Sequence, residues 1–329
     1  MRILVTGGAG FVGSHLVRKV LGPQQPLGSE VGVTVLDSLA ATGSLENLYA
    51  VRHHPEFRFV HGDVTDEAVV DQLMPDHQAV VHLAAAAYGT GSACAAGAFA
   101  RTDVLGTQTL LDAALRHGTG VFVHVSTAEV YGPVPAGSVT ETAPLRPGTP
   151  YAAAQASSDL LALSYHRTYG MDVRVTRCAE NYGSHQFPEM LIPLFVTHLL
   201  QGRQLPLRGD GSRVRDRLHV DDHCRALLAV LVSGRPGEVY NVGGGAELCD
   251  RDVTAAVLAA CGAGWDHVEW LVDRPGDARR NSVDWSKIRG ELGYEPVHGF
   301  AEGLAETIAW YGRRHLVDPD FGRGLSWPE

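Results

Sequence analysis

Gly7-Gly8-Ala9-Gly10-Phe11-Val12-Gly13 stands between an apolar run, Arg2–Thr6, and a stretch of helical periodicity, Gly13–Leu21. No other feature narrows the possible folds as much. Glycines at this spacing meet three backbone needs that a side chain would obstruct. Gly7 permits a tight turn out of a strand, Gly10 lets the main chain approach a pyrophosphate, and Gly13 allows close packing of helix on sheet. A helix beginning there directs its free N–H groups and positive dipole end at phosphate.

The residues beyond the turn give the pattern its context. Asp37 closes the second strand-like run, Val31–Leu36, about 24 residues beyond Gly13. A carboxylate there binds the adenine ribose hydroxyls and repels a 2′-phosphate, so NAD is expected over NADP. Phe11, Val12 and Val64 are expected at the cofactor, and Asp63, after the third run, is expected to contact adenine. The alternative is a glycine-rich turn that holds no ligand.

Further runs rich in β-branched residues occur at Phe57–His61, Ala79–Leu83, Val121–Ser126 and Asp172–Arg177, with helical patterns at Thr102–Arg116 and Tyr151–Tyr169. Such alternation predicts an α/β fold, a Rossmann-type doubly wound parallel sheet. Beyond residue 178 the pattern loosens at Pro188, Pro193, Pro206, Pro236 and Pro275. Residues 1–178 are therefore expected to form the NAD-binding domain. Residues 179–329 form a smaller C-terminal α/β part, mainly for substrate and partly interleaved with the core fold. Asp284–Trp310 is expected to be largely helical.

The formal net charge of -10 argues against a nucleic-acid-binding surface. No apolar run approaches the roughly 18 residues a membrane span needs. The N-terminus runs straight into a strand without a signal peptide, so the protein is expected to be cytoplasmic. The five cysteines are scattered without CxxC spacing and read as reduced, mostly buried thiols. No histidine has metal-ligand spacing with partners, and no metal site is expected.

Tyr151 is followed one helical turn later by Gln155. A tyrosine and a lysine in this relation share a helix face, and the ammonium lowers a phenol pKa that is otherwise near 10. Glutamine retains hydrogen bonding without the charge. Each unit not recovered costs roughly tenfold in available phenolate.

Ordered segments extend the pattern: Val123–Gly132, Thr149–Ala153, His185–Leu194, Gly209–Gly211, His219–His223 and Asp273–Gly276. Together they resemble the extended short-chain dehydrogenase/reductase family over nearly the whole chain, and within it the dTDP-glucose 4,6-dehydratases. The resemblance implies NAD, a nucleotide-linked hexose (dTDP- or UDP-sugar) and a homodimer built through a four-helix bundle. It also implies a three-stage reaction. A tyrosine takes the 4-hydroxyl proton as hydride leaves C4. A glutamate removes the C5 proton while an aspartate protonates the departing 6-hydroxyl. Hydride then returns to C6.

The chain departs from that pattern around the sugar. The Thr-Asp-Glu trio reads Thr127-Ala128-Glu129, so the acid is replaced by a methyl. Gln155 replaces the lysine, Asp103 and Glu180 replace asparagines, and Met190 replaces another lysine. The segment Ala84–Ser92, which includes Tyr88, lacks the charged residues of its counterpart.

The expected catalytic residues are thus Tyr151, Glu129, Thr127 and Glu180. Glu129 is expected as a base, with a salt-bridged leftover as its alternative. Glu180 is an acid with a raised pKa or a member of a structural ion pair. Gln155 is expected at the nicotinamide ribose. Tyr88 and Asn181 are expected at the substrate, and Arg215, Arg279 and Arg280 at its diphosphate, with surface salt bridging as the alternative for the arginines. Three functions compete: altered chemistry on a 4-keto hexose nucleotide (epimerisation, elimination or reduction), a slow 4,6-dehydratase, and a silent binder of NAD and nucleotide sugar.

Overall fold

The computed structural model describes the chain except residues 25, 29, 41, 87–95, 274–278, 319–320 and 322–329. The first half alternates as its apolar runs predict: β1 (Arg2–Thr6), α1 (Phe11–Leu21), β2 (Gly32–Asp37), β3 (Phe57–His61), α2 (Glu67–Leu73), β4 (Ala79–His82), α3 (Ala96–Phe99), α4 (Gly106–His117), β5 (Val121–Thr127), α5 (Pro150–Tyr169) and β6 (Val173–Cys178). The second half continues with β7 (Glu180–Tyr182), α6 (Leu191–Leu200), β8 (Leu205–Arg208), β9 (Val214–His219), α7 (Val220–Ser233), β10 (Val239–Val242), β11 (Glu247–Cys249), α8 (Asp250–Ala260), β12 (Val268–Leu271), β13 (Arg280–Asn281), α9 (Ser286–Leu292) and α10 (Phe300–Val317).

Among the described residues, seven parallel strands form one sheet in the order β10-β6-β5-β4-β1-β2-β3. The order reverses between β1 and β4, which is where an open α/β sheet leaves a crevice at the carboxyl ends of its strands. Both faces are covered, as parallel sheets require. Ile3, Val5, Val33 and Val35 pack into one apolar cluster, with Leu16 and Leu227 of the covering helices. Leu4, Leu36, Val80 and Phe122 pack on the other side, with Leu110 and Leu111.

The chain beyond residue 178 returns to this sheet, since β10 pairs with β6. The rest builds a smaller body. There β9 is flanked by β7, β11 and β13, β8 pairs with β12, and Leu194, Phe195, Val257 and Tyr311 centre a third apolar cluster. Two helical expectations change in detail. Thr102–Arg116 is not one α-helix: a turn of π-helix occupies Ala100–Leu105 before α4. Asp284–Trp310 is split, because Gly293 ends α9 in the left-handed conformation at φ 66° and Pro296 lies in the gap.

Candidate active site

The turn after β1 closes as its glycines predict. Gly7 has φ +69°, and a Cβ on Gly13 would lie 2.3 Å from the Gly7 carbonyl oxygen, so helix and turn touch directly there. The N-terminus of α1 has neither a side-chain cap nor an acidic residue in its first turn. Its N–H groups are left for an anion. Asp37, at the end of β2, accepts the N–H groups of Ala9 and Leu39 at 2.8 Å each, which fixes its carboxylate beside the turn. Asp63 accepts both the N–H and the hydroxyl of Thr65 at 2.9 Å.

These residues line one part of a cavity of about 620 Å³ that runs along the carboxyl edge of the sheet. Gly7, Gly10, Phe11, Val12, Gly13, Asp37, Asp63 and Val64 all contribute, and a glycine cradle beside an uncapped helix suits a dinucleotide pyrophosphate. Beyond the strand-order reversal the same cavity is lined by Thr127, Glu129, Tyr151, Gln155, Glu180, Asn181 and Arg215. Residues from both halves of the sequence therefore meet in one space.

Local geometry explains how these side chains are presented. Thr127 ends β5 and its hydroxyl accepts the Glu129 N–H at 3.3 Å, which starts a short 3-10 turn. The turn brings Glu129 to the cavity and leaves the Ala128 methyl buried in its wall. No carboxyl group stands at that position. Thr149 caps α5 with Pro150 in its first turn, so Tyr151 projects from the helix start, where Phe99 packs edge-on against its ring at 5.7 Å between centroids. Gln155 is buried one turn further on.

Among the described residues no lysine lines the cavity. The chain has two lysines. Lys19 pairs with Asp221 at 3.6 Å and Lys287 with Glu238 at 2.6 Å. Among the described lining residues Arg215 is the single permanent cation, against Asp37, Asp63, Glu129, Glu180, Glu189 and Asp216.

Three expectations are corrected. Glu180 takes the ion-pair alternative: Arg217 Nη1 lies 2.5 Å and Arg215 Nε 3.5 Å from its carboxylate, and Arg217 is also bound to Asp250 at 2.8 Å. Arg280 faces away from the cavity and forks onto Glu247 at 2.6 and 2.7 Å, with a further bond to the Val134 carbonyl. Arg279 is exposed and outside the described cavity wall. Tyr88 lies outside the described residues.

Sequence reasoning passed over several lining groups. His223, at the start of α7, is 1 % exposed, and neither ring nitrogen finds a partner among the described residues. Burial pushes its pKa down to about 3, so the ring is neutral. Glu189 also lines the cavity, its pKa raised by burial. The Cys178 thiol donates to the Ser126 carbonyl at 3.3 Å, and burial pushes its pKa up to about 11. The HVDDH and PEM segments that hold His223 and Glu189 were visible, but nothing in them marks which side chains turn inward.

A dinucleotide-binding sheet that shares one crevice with a Thr/Glu/Tyr constellation defines a short-chain dehydrogenase-type site. The chain belongs to the extended members of that class, and specifically to the family described as GDP-mannose 4,6 dehydratase, matched over residues 4–307. It is 55% identical over 313 residues to a dTDP-glucose 4,6-dehydratase of Streptomyces antibioticus, covering 94% of this chain and 92% of the relative. A second dTDP-glucose 4,6-dehydratase, from Streptomyces niveus, is 51% identical over 311 residues, with 94% and 93% covered. The solved dTDP-glucose 4,6-dehydratase of Streptomyces venezuelae, which holds NAD, superposes with a TM-score of 0.94 at 51% identity, covering 97% of this chain and 99% of that one. A UDP-glucuronic acid 4-epimerase of Bacillus cereus, solved with UDP-glucuronic acid and NAD, gives a TM-score of 0.88 at 27% identity, covering 95% and 100%.

Proposed function

We propose that this protein binds NAD and a nucleotide-linked hexose and transfers protons on a sugar that already carries a 4-keto group. One observation carries the reading: the cavity keeps Glu129 and Tyr151 while Ala128 and Gln155 stand where 4,6-dehydration calls for an acid and an ammonium. A ketone acidifies the C–H bonds next to it, so Glu129 can take such a proton without prior oxidation of an alcohol. Tyr151, as a neutral phenol, donates to the ketone oxygen and the enol forms. The enol proton then returns to Tyr151 as the carbon takes a proton, from Glu129 on the face it left or from water on the other, which regenerates the ketone as substrate or epimer. Thr127 orients the Glu129 turn and a substrate hydroxyl, and Arg215 meets the diphosphate.

NAD supplies hydride chemistry when bound. The residues placed to hold it are the glycine turn for the pyrophosphate, Asp37 for the adenine ribose and Gln155 for the nicotinamide ribose. Asp37 favours NAD over the 2′-phosphorylated form by charge. The exposed Leu105, Leu115, Leu160 and Tyr169 lie on or beside α4 and α5 and suit a homodimer face; light scattering on the purified protein tests this.

A second reading, unmodified dTDP-glucose 4,6-dehydration at reduced rate, is favoured by the 51–55% identity to relatives of that name over 94% of the chain. The two separate in D₂O. Protein is incubated with dTDP-glucose and, separately, with dTDP-4-keto-6-deoxyglucose, and followed by NMR and mass spectrometry. Deuterium entry or a new isomer from the keto sugar alone is expected. Keto-sugar formation from dTDP-glucose at ordinary rates would overturn the first reading in favour of the second. No change in either sugar despite tight binding of both ligands would leave a silent binder.

A further inference from the structure

Arg213, just before β9, and Arg215 and Arg217 within it alternate along the strand, so their side chains leave it on the same side. Two carboxylates from other elements stand between them. Asp250, the first residue of α8, binds Arg213 Nε at 3.1 Å and Arg217 Nη2 at 2.8 Å. Glu180 opens β7 and lies opposite Arg217 in the pairing of β7 with β9. Its Oε1 binds Arg217 Nη1 at 2.5 Å, and its Oε2 lies 3.5 Å from Arg215 Nε. The result is a row of alternating charges, three guanidiniums and two carboxylates, that ends on Arg215 at the cavity wall.

The contacts in this row are unequal. The Arg217 side chain is 2 % exposed, and a guanidinium stays charged at any ordinary pH, so it draws on both carboxylates. Glu180 meets that demand with one oxygen. Its other contact, to Arg215 at 3.5 Å, is too long for a charged hydrogen bond, which runs about 2.7–2.9 Å. The neighbouring carboxylates are committed elsewhere. Asp216 accepts the Gly244 and Ala246 N–H groups at 3.0 Å each, and Glu247 is taken by Arg280 at 2.6 and 2.7 Å.

We propose that Arg217 is a positioning residue: by holding Glu180 it keeps that carboxylate off Arg215 and leaves the Arg215 guanidinium available to the diphosphate of a nucleotide sugar. This rests on the proposed function, which places Arg215 at the diphosphate. Without Arg217, the Glu180 carboxylate has one cation left in reach, Arg215, and closes on it in competition with the phosphate oxygens. Asp250 keeps Arg213 and is not stranded. The carboxylate that stands in place of an asparagine of the family pattern and the arginine that restrains it therefore act as a unit.

The test is calorimetric titration of the NAD-loaded full chain with thymidine 5′-diphosphate, no sugar present. Wild type is compared with Arg215→Ala, Arg217→Met, and Arg217→Met combined with Glu180→Gln. NAD affinity and thermal unfolding report the intact fold. Arg217→Met should weaken the diphosphate about tenfold, the worth of one charged hydrogen bond, with NAD affinity near wild type. Adding Glu180→Gln should recover most of that loss, because the carboxylate that captures Arg215 is gone. A merely structural role for Arg217 predicts no such recovery. An undiminished affinity in Arg217→Met, where Arg215→Ala does weaken binding, would overturn the proposal, and so would a loss that Glu180→Gln fails to recover. If Arg217→Met does not fold, Arg217→Lys replaces it, with a smaller loss expected and the same recovery required. Unchanged affinity in Arg215→Ala would instead remove the reading that puts Arg215 at the diphosphate. The D₂O experiment decides the keto-sugar chemistry separately.

Discussion

The two ends of the cavity hold their ligands by different means. At the dinucleotide end the contacts are mainly backbone: a left-handed Gly7, a Gly13 without room for a methyl, and the open N-terminus of α1. Among the described residues there, only Asp37 and Asp63 contribute charge. At the sugar end every proposed task belongs to a side chain tip, on Thr127, Glu129, Tyr151, Gln155 or Arg215. A backbone site tolerates little change because the fold itself depends on it. A side-chain site can exchange a carboxyl for a methyl, or an ammonium for an amide, and leave the sheet untouched. On the proposed reading, that difference accounts for a chain that keeps its cofactor turn while its sugar pocket departs.

The largest effect should come from breaking the backbone end. Gly13→Val places carbon 2.3 Å from the Gly7 oxygen, and either the turn or the helix must move. Overpacking of this kind typically costs about 1–3 kcal/mol in stability. It should also abolish NAD binding measurable by calorimetry. Retained affinity would show that the turn is more compliant than the geometry indicates.

Glu129→Gln strikes the other end. Its cost should fall on chemistry, with deuterium entry into the keto sugar slowed about 10²–10⁴-fold while NAD affinity stays near wild type. A drop in NAD affinity of similar size would mean that the two ends are not separable.

Between these lies a stability effect with a definite sign. Burial raises the pKa of Asp103 in the folded state to about 6, above its ordinary 3.8. An acid with a raised folded pKa contributes its stability below the unfolded value and loses it as pH rises through the folded value. Wild type should therefore weaken from about pH 4 upward and level off above about pH 6, by about 3 kcal/mol for two units. Asp103→Asn carries no charge to desolvate, so its advantage over wild type should grow across that window in urea denaturation. Parallel curves would place the carboxyl in better solvation than its 2 % exposure implies.

The backbone end was readable because its signals are local. The glycine spacing, the β-branched runs and Asp37 at a strand end lie within one strand-helix-strand unit, and each has its own physical cause. The sugar end was readable only as far as residue types go. That Glu180 would be clamped by Arg217 depends on a partner 37 positions away on another strand. The π-helical turn that carries Asp103 hides inside a run whose apolar spacing still looks like an ordinary helix. His223 has both ring nitrogens unpaired among the described residues of the cavity wall, yet its sequence neighbours give no sign of which way the ring faces.

The arginines show the same limit and provide the smallest predicted effect. Neighbouring strand residues point to opposite sides, so an arginine pair cannot be assigned to a ligand from spacing alone. In the fold Arg280 forks onto Glu247 and reaches the Val134 carbonyl, while Arg215 turns into the cavity. The Arg280–Glu247 pair is partly open to water, at 21% and 37% side-chain exposure. Such pairs are worth about 1 kcal/mol or less and weaken in salt. Arg280→Ala should therefore shift thermal unfolding by a few degrees at most and leave nucleotide-sugar affinity unchanged. Arg215→Ala should do the reverse, weakening a diphosphate ligand about tenfold or more by removal of a charged hydrogen-bond donor, with little change in melting. Affinities that fall equally in both variants would place Arg280 at the ligand after all, and would require the strand edge at β13 to rearrange when the sugar nucleotide binds.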